Sequence, residues 1–317
     1  MQNLGILDGQ YSILSLKGMD FNRLFYIVRH NQTNINYIVE IKIPGNNHEN
    51  FNDNFPANEI NILNTLNNAN NRYILRYIGN GNGILALNNE PQRNVSYIVY
   101  EYASRFCLFE YIKVQRLSER HAKLLFKKIL IGIQSMHNFN ICHRDIKPEN
   151  ILLDENYNPK IFGFYFSCLN ANNIQIYLST NPYAAPEIME NQPFNGIKCD
   201  IFSLGQLLFV IVNGMFGFRS ANVNDQYYNL IRNHQFNEYW QMEAFNGLNL
   251  SESFKNLYLR MEAFNPNERP TIEEVLNDEW MQEINNLNAE QINILENEIR
   301  QELHNREVEI QNNHLDN

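Results

Sequence analysis

One run of thirteen residues constrains this chain more than any other: Ile141 to Leu153, reading I-C-H-R-D-I-K-P-E-N-I-L-L. It sets His143, Arg144, Asp145, Lys147 and Asn150 in the order H-R-D-x-K-x-x-N, a pattern long and specific enough that accident rarely produces it. A second run, K-I-F-G-F-Y-F, starts at Lys160 and puts Gly163 thirteen residues after Asn150. Any fold for this chain must present the first run and keep the second within reach of it.

The rest of the sequence divides by periodicity. Tyr11 to about Ile43 alternates apolar and polar residues and is rich in Ile, Tyr, Phe and Val, which predicts strands. Phe55 to Leu66 carries Ile60, Leu63 and Leu66 at helical spacing. Tyr73–Ile78 and Val95–Glu101 read as two further strands around a Gly/Asn-rich loop. From Leu108 the pattern is mainly helical, with Glu119 to Met136 a long amphipathic helix capped by Ser118. Ile201–Phe218 is apolar and barely long enough to span a bilayer, but Gln206 and Asn213 mark it as a buried core helix. In the charged segment 282–317, Ile292, Leu295 and Ile299 begin a heptad seam that Glu302 and Arg306 interrupt. That pattern predicts an amphipathic helix docked on the helical part rather than a long coiled coil.

The 317 residues carry a formal charge of −10, which argues against general binding to nucleic acid or to an anionic membrane. The four cysteines, Cys107, Cys142, Cys168 and Cys199, form no C-x-x-C pair and fit reduced thiols of a cytoplasmic protein. The N-terminus shows no basic and apolar regions of a signal peptide. The frequent asparagines are scattered between well-patterned apolar segments and read as loop filling rather than an interaction tract.

The first run resembles the catalytic loop of the eukaryotic protein-kinase family, of the serine/threonine type because Lys147 follows Asp145 by two places. Other motifs follow in family order. Val39-Glu40-Ile41-Lys42 occupies the V-A-I-K strand, Ala185-Pro186-Glu187 the A-P-E segment, and Asp200 to Gly205 the start of a central helix; Arg269 is the expected partner of Glu187. The resemblance covers about residues 11–281 and implies an α+β, two-lobed fold: a strand-rich N-lobe (11–100), a hinge (101–105) and a helical C-lobe (106–281), followed by the helical tail 282–317. It implies Asp145, Lys147 and Asn150 as catalytic residues, with Asn150 a magnesium ligand. Lys42, Glu59, Leu24, Glu101, Ala103 and Leu152 would contact ATP, with Lys42 and Glu59 as an ion pair. His143, Phe164, Leu63 and Tyr77 would stack as the family's regulatory spine, and Tyr100 would narrow the back of the pocket. Arg144 would meet a phosphorylated activation segment, with Ser167, Ser179 and Thr180 as candidate acceptors and Thr180 better suited to packing near Asp145.

Four departures stand against that pattern. Gly163 replaces the aspartate that bridges magnesium and the phosphates, and Tyr165 replaces the following glycine. Lys17, Met19 and Asn22 replace the three glycines of the phosphate-cradling loop, and Asp20 adds a carboxylate there. Glu40 shares a strand face with Lys42, in the slot where the family packs alanine on adenine; the same residue paired with Lys17 or Lys42 would plug the cleft. Beyond the joint, Arg105, Phe106 and Cys107 stand where small residues and a ribose-binding acid are expected.

Two functions follow. One is an active serine/threonine kinase using ATP and magnesium on a protein hydroxyl. The other is a pseudokinase, a kinase fold serving as scaffold or allosteric regulator for a partner protein, with or without nucleotide. The losses strike metal, phosphate and adenine contacts together, which favours the second.

Overall fold

Alternating apolar residues build the first of two units, Met1–Asn70 with Ile74–Ser104. The computed structural model describes residues 3–20, 23–42, 55–175 and 180–315; Phe21, Asn22 and Ser179, and the side chain of Asp20, lie outside them. Six strands, β1 (Gly5–Leu7), β2 (Tyr11–Asp20), β3 (Arg23–His30), β4 (Asn36–Lys42), β5 (Tyr77–Leu87) and β6 (Arg93–Glu101), close an antiparallel barrel in the order β1-β2-β3-β4-β6-β5. Leu7, Ile13, Val28, Val39, Ile41 and Val99 fill it. The two-residue period of β3 and β4 sends Tyr26, Val28, Val39 and Ile41 inward and Arg23, Phe25, Glu40 and Lys42 to the other face.

Two local readings change. Gly79 to Gly83 lie within β5 rather than in a loop, and Tyr73 precedes the strand. The reason is steric: a Cβ on Gly81 would fall 2.6 Å from the Tyr97 hydroxyl, and one on Gly83 2.5 Å from Asp8. Glycine lets β5 run past these side chains, whose own hydrogen bond (2.9 Å) ties β6 to the turn after β1. The short strand β1 ahead of Tyr11 pairs with both β2 and β5 and so closes the barrel. Helix α1 (Phe55–Ala69) belongs to this unit and buries Glu59, Ile62, Leu63 and Leu66 at i, i+3, i+4 and i+7, leaving Ile60 half-buried.

The second unit comprises Asn71–Tyr73 and Arg105–Asn317. It opens with α2 (Leu108–Val114) and α3 (Glu119–His137), the latter capped by the Ser118 hydroxyl, which accepts from the His121 N–H. Four short strands, β7 (Ile141–Cys142), β8 (Ile151–Leu153), β9 (Pro159–Ile161) and β10 (Cys168–Leu169), pair antiparallel as β8 with β9 and β10 with β7. Then come α4 (Pro186–Met189), α5 (Gly196–Asn213), α6 (Gln226–Arg232), α7 (Phe236–Trp240), α8 (Glu252–Met261), α9 (Ile272–Leu276) and α10 (Gln282–Asn285). By length and composition α5 passes as a membrane span, yet 89% of it is buried inside the unit, so it is the unit's core helix. Gly214, at φ +69°, ends it in a left-handed cap.

The last helix, α11 (Ala289–Leu315), packs on α2 and α3 through Leu295, Ile299, Leu303 and Ile310. The polar residues that break its seam make its most specific contacts. Glu302 bonds His121 and Arg306; Arg306 donates to the carbonyls of Tyr111, Gln115 and Arg116, which end α2. Glu307 accepts from Arg105 (3.1 Å) and from the Tyr157 hydroxyl.

One buried group weighs on stability. Both carboxyl oxygens of Glu262 are buried without a protein hydrogen-bond partner, and burial pushes this acid well above its ordinary value of 4.5 against the pull of Arg269. A group raised in the folded state contributes fully below its unfolded pKa and loses that contribution as pH rises toward the folded one. The stability of Glu262→Gln relative to the parent should therefore rise above the unfolded pKa by about 1.4 kcal/mol per pH unit until the folded pKa is reached. Urea unfolding at pH 5, 6 and 7 measures this, and a pH-independent difference would show that Glu262 is ionised in the fold.

Candidate active site

In the second unit the H-R-D run is held open by one acid from α5. Asp200, fully buried, accepts the backbone N–H groups of His143 and Arg144, each at 2.8 Å, and lies 2.9 Å from His137 Nε2. Arg144 sits at φ +68°, a left-handed conformation costly for a side-chain-bearing residue unless its surroundings impose it. Its guanidinium donates to the Phe166 carbonyl (3.1 Å) and lies 5.6 Å from the Phe194 ring centroid. His143 is buried, which depresses its pKa; its Nε2 lies 3.0 Å from the Phe162 carbonyl, and its ring meets Phe164 at 5.5 Å.

Around Asp145 the polar network is complete. Thr180 donates to Oδ1 at 2.7 Å, Lys147 Nζ lies 3.0 Å from Oδ2 and 3.1 Å from the Thr180 hydroxyl, and Asn150 Nδ2 donates to Oδ2 and to the Asp145 carbonyl at 2.7 Å each. These contacts hold a carboxylate in one orientation, as a group that orients a hydroxyl requires. The Thr180 hydroxyl is thus engaged by both Asp145 and Lys147 in this conformation. Ser167, only 3% exposed and donating to the His143 carbonyl, is closed to modification in this conformation.

The metal position is different. Gly163 has φ +84°, and a Cβ there would fall 2.7 Å from Asn150 Cγ and Oδ1. The Asn150 amide packs on the glycine, in space that an aspartate side chain would need. With its nitrogen committed to Asp145, Asn150 is left as a single amide oxygen. The described residues hold no cluster of three or more His, Cys, Asp or Glu able to bind a metal ion. This donor set does not fit a magnesium ion, which takes one or two carboxylates with phosphates and water.

In the first unit, Glu59 and Glu40 converge on a residue other than lysine. Arg23 donates to Glu59 through both terminal nitrogens (3.2 and 2.9 Å) and pairs closely with Glu40, whose second oxygen accepts from the Tyr100 hydroxyl at 3.2 Å. Glu59, read from the sequence as the partner of Lys42, is hydrogen-bonded by Arg23 while the Lys42 charge also acts on it, and Glu40 pairs with Arg23. The register explains it: Arg23 stands directly opposite Lys42 across β3 and β4, and shares its face. Burial pushes the Glu59 acid up, against the opposing charges of Arg23 and Lys42.

The other predicted nucleotide contacts divide. Leu24 is corrected: strand parity turns it toward the barrel core, beside Tyr26 and Val28, and its neighbour Phe25 shares the Lys42 face. Glu101 ends β6 and accepts the Arg76 N–H at 3.1 Å. Ala103 is buried in the first unit; Leu152 is buried in β8 of the second, bridged to Cys107. Arg105 is held by Glu307 and lies 4.7 Å from the Tyr157 ring centroid. His143 and Phe164 belong to the second unit, Leu63 and Tyr77 to the first. Glu187 pairs with Arg269 through two bonds of 2.7 Å; burial opposes its charge, and the guanidinium overrides that, holding the acid below its ordinary value.

Removing Arg23 leaves two buried carboxylates facing each other. Arg23→Met should cost about 3–5 kcal/mol at pH 7. The loss should shrink toward pH 5, because protonating either acid removes the repulsion. Denaturant unfolding at both pH values checks this; an equal loss at both would assign the effect to packing alone.

Comparison with known proteins agrees with this geometry. The family model described as "Protein kinase domain" matches residues 25–281, starting just past the eroded 17–24 segment. The serine/threonine-protein kinase kin-29 of Caenorhabditis elegans is 35% identical over 191 residues, covering 59% of this chain and 22% of the relative. The chain thus spans less than a quarter of the length of that curated relative. Since the family model takes in both the strand-rich and the helical unit, this chain belongs to the protein kinase family, and its fold resembles the serine/threonine kinases.

Proposed function

We propose that this protein is a pseudokinase, a kinase fold that acts on a partner protein by binding rather than by phosphoryl transfer. The observation that carries the proposal is the packing of Asn150 against Gly163. It leaves one amide oxygen where the reaction needs hard oxygen ligands to neutralise charge on the transferring phosphate. Supporting it, Arg23 is fixed between Glu40 and Glu59, so the cation this lobe holds on its α1 glutamate is already neutralised twice over. The partner is a protein, and widely spaced free thiols favour a cytoplasmic setting.

The second reading, an active serine/threonine kinase using ATP and magnesium on a protein hydroxyl, rests on the intact Asp145–Lys147–Thr180 network. Melting the protein with millimolar ATP, with magnesium or with chelator, separates the two. A ligand at about 100 times its Kd stabilises by about 2.7 kcal/mol. The pseudokinase reading expects no magnesium-dependent rise in Tm. A rise that requires magnesium would favour the active kinase, and one that survives chelator would make nucleotide a structural ligand.

Restoring the motif should not restore the chemistry. In Gly163→Asp with Tyr165→Gly, the new side chain meets Asn150 and must adopt a left-handed conformation costing roughly 1–2 kcal/mol. That double variant should melt lower than the parent and transfer no phosphate from ATP to a generic protein substrate. Robust transfer by it would sink the claim that the nucleotide site is lost as a whole.

A further inference from the structure

Two cysteines used by neither reading face each other across the β7–β10 pair. Cys142 immediately precedes His143, and Cys168 lies five residues beyond Gly163. They are direct partners in the antiparallel register, and their sulfurs are 3.2 Å apart. Directly opposed residues of an antiparallel pair have Cα atoms about 4.5–5.5 Å apart, inside the range of about 4.4–6.8 Å that a disulfide spans. Bond formation therefore needs no strand to move.

Their surroundings differ. Cys142 is fully buried against the first turn of α5, where a Cβ on Gly196 would lie 2.3 Å from its sulfur. Cys168 is half-buried. The hydrogen-bonding contact between the two sulfurs, with help from the Arg144 charge, lowers the Cys168 pKa, while the same contact and burial raise that of Cys142. One sulfur is thus the more accessible and more nucleophilic, and the other stands behind it.

We propose that Cys142 and Cys168 are a peroxide-reactive dithiol that closes a reversible disulfide across the base of the catalytic loop. The Cys168 thiolate attacks hydrogen peroxide: an S–O bond forms, the O–O bond breaks, and the departing hydroxide takes up a proton as water. Cys142 then attacks the resulting sulfenic sulfur. The S–S bond forms, the S–O bond breaks, and hydroxide leaves with the Cys142 proton as a second water. Two thiols lose two electrons, and one peroxide becomes two waters. A reduced dithiol reverses the step by exchange. The sulfurs are 26 positions apart in sequence, and the loop they close contains Asp145, Lys147, Asn150, Gly163 and Phe164, so oxidation staples the helical unit's part of the candidate site into a ring.

The test treats the reduced full chain with one equivalent of hydrogen peroxide, denatures it in excess alkylating reagent, and maps it by non-reducing peptide mass spectrometry. The expected product is a Cys142–Cys168 linked peptide that dithiothreitol abolishes, with Cys107 and Cys199 alkylated. In Cys142→Ala, dimedone should trap Cys168 as its sulfenic acid, while the parent gives little adduct. Two results overturn the proposal: Cys142 still alkylated after Cys168 has been oxidised, or Cys107 consumed first with the pair intact. The parent experiment decides the matter even where the variant folds poorly.

Discussion

The Asp200 carboxylate is the contact on which the helical unit's site depends. It projects from the core helix α5 and takes the N–H groups of His143 and Arg144 at equal distance. That pair of bonds sustains the left-handed turn at Arg144, which delivers Asp145 to Lys147 and Thr180. The loop's shape is thus fixed from behind, by a residue that touches no reactant. A loop so supported keeps its form whether or not chemistry follows, which is why an intact H-R-D run is weak grounds for activity.

The strand-rich unit has settled a different electrostatic problem. Two acids, Glu40 and Glu59, lie within reach of one guanidinium, a planar fork suited to two carboxylates at once, where a lysine ammonium is a point charge. Buried charges persist only when paired and hydrogen-bonded, and the Tyr100 hydroxyl completes the set. Arg23 and Glu40 therefore belong together: once Glu40 occupies the face that Lys42 shares, a second cation opposite Lys42 is the economical way to bury it.

Much of this was legible in the sequence because motifs in fixed order specify the family, and the period of apolar residues specifies the elements. The H-R-D run, the Ser118 cap and the buried character of α5 follow from local pattern, and the Glu187–Arg269 pair, 82 positions apart, follows from the family resemblance. What escaped depends on pairing between strands. Arg23 belongs to no motif, and only the β3–β4 hairpin places it opposite Lys42. Leu24 lies on the core face because, with the pattern glycines replaced, nothing in the segment fixes which residues of β3 face outward until β4 pairs with it. The Gly79–Gly83 stretch looked like a loop because its glycines answer to Tyr97 and Asp8, which are distant in sequence. The Asn150–Gly163 contact was out of reach for the same reason: spacing shows that an aspartate is missing, but not that a neighbouring amide has filled its place.

The contact between Arg306 and the end of α2 bears on how the chain is assembled. The carbonyls it satisfies, at Tyr111, Gln115 and Arg116, precede it by 190 to 195 residues. Helix α2 closes on its own Tyr111 carbonyl through the Gln115 N–H at 3.3 Å, but the Gln115 and Arg116 carbonyls just beyond it take their donor from a part of the chain made much later. During synthesis those carbonyls must wait in water until α11 emerges, and closing so long a loop is slow relative to forming the helix itself. The order of events is therefore written into one guanidinium: the helical unit reaches its final form only when its most distant element arrives.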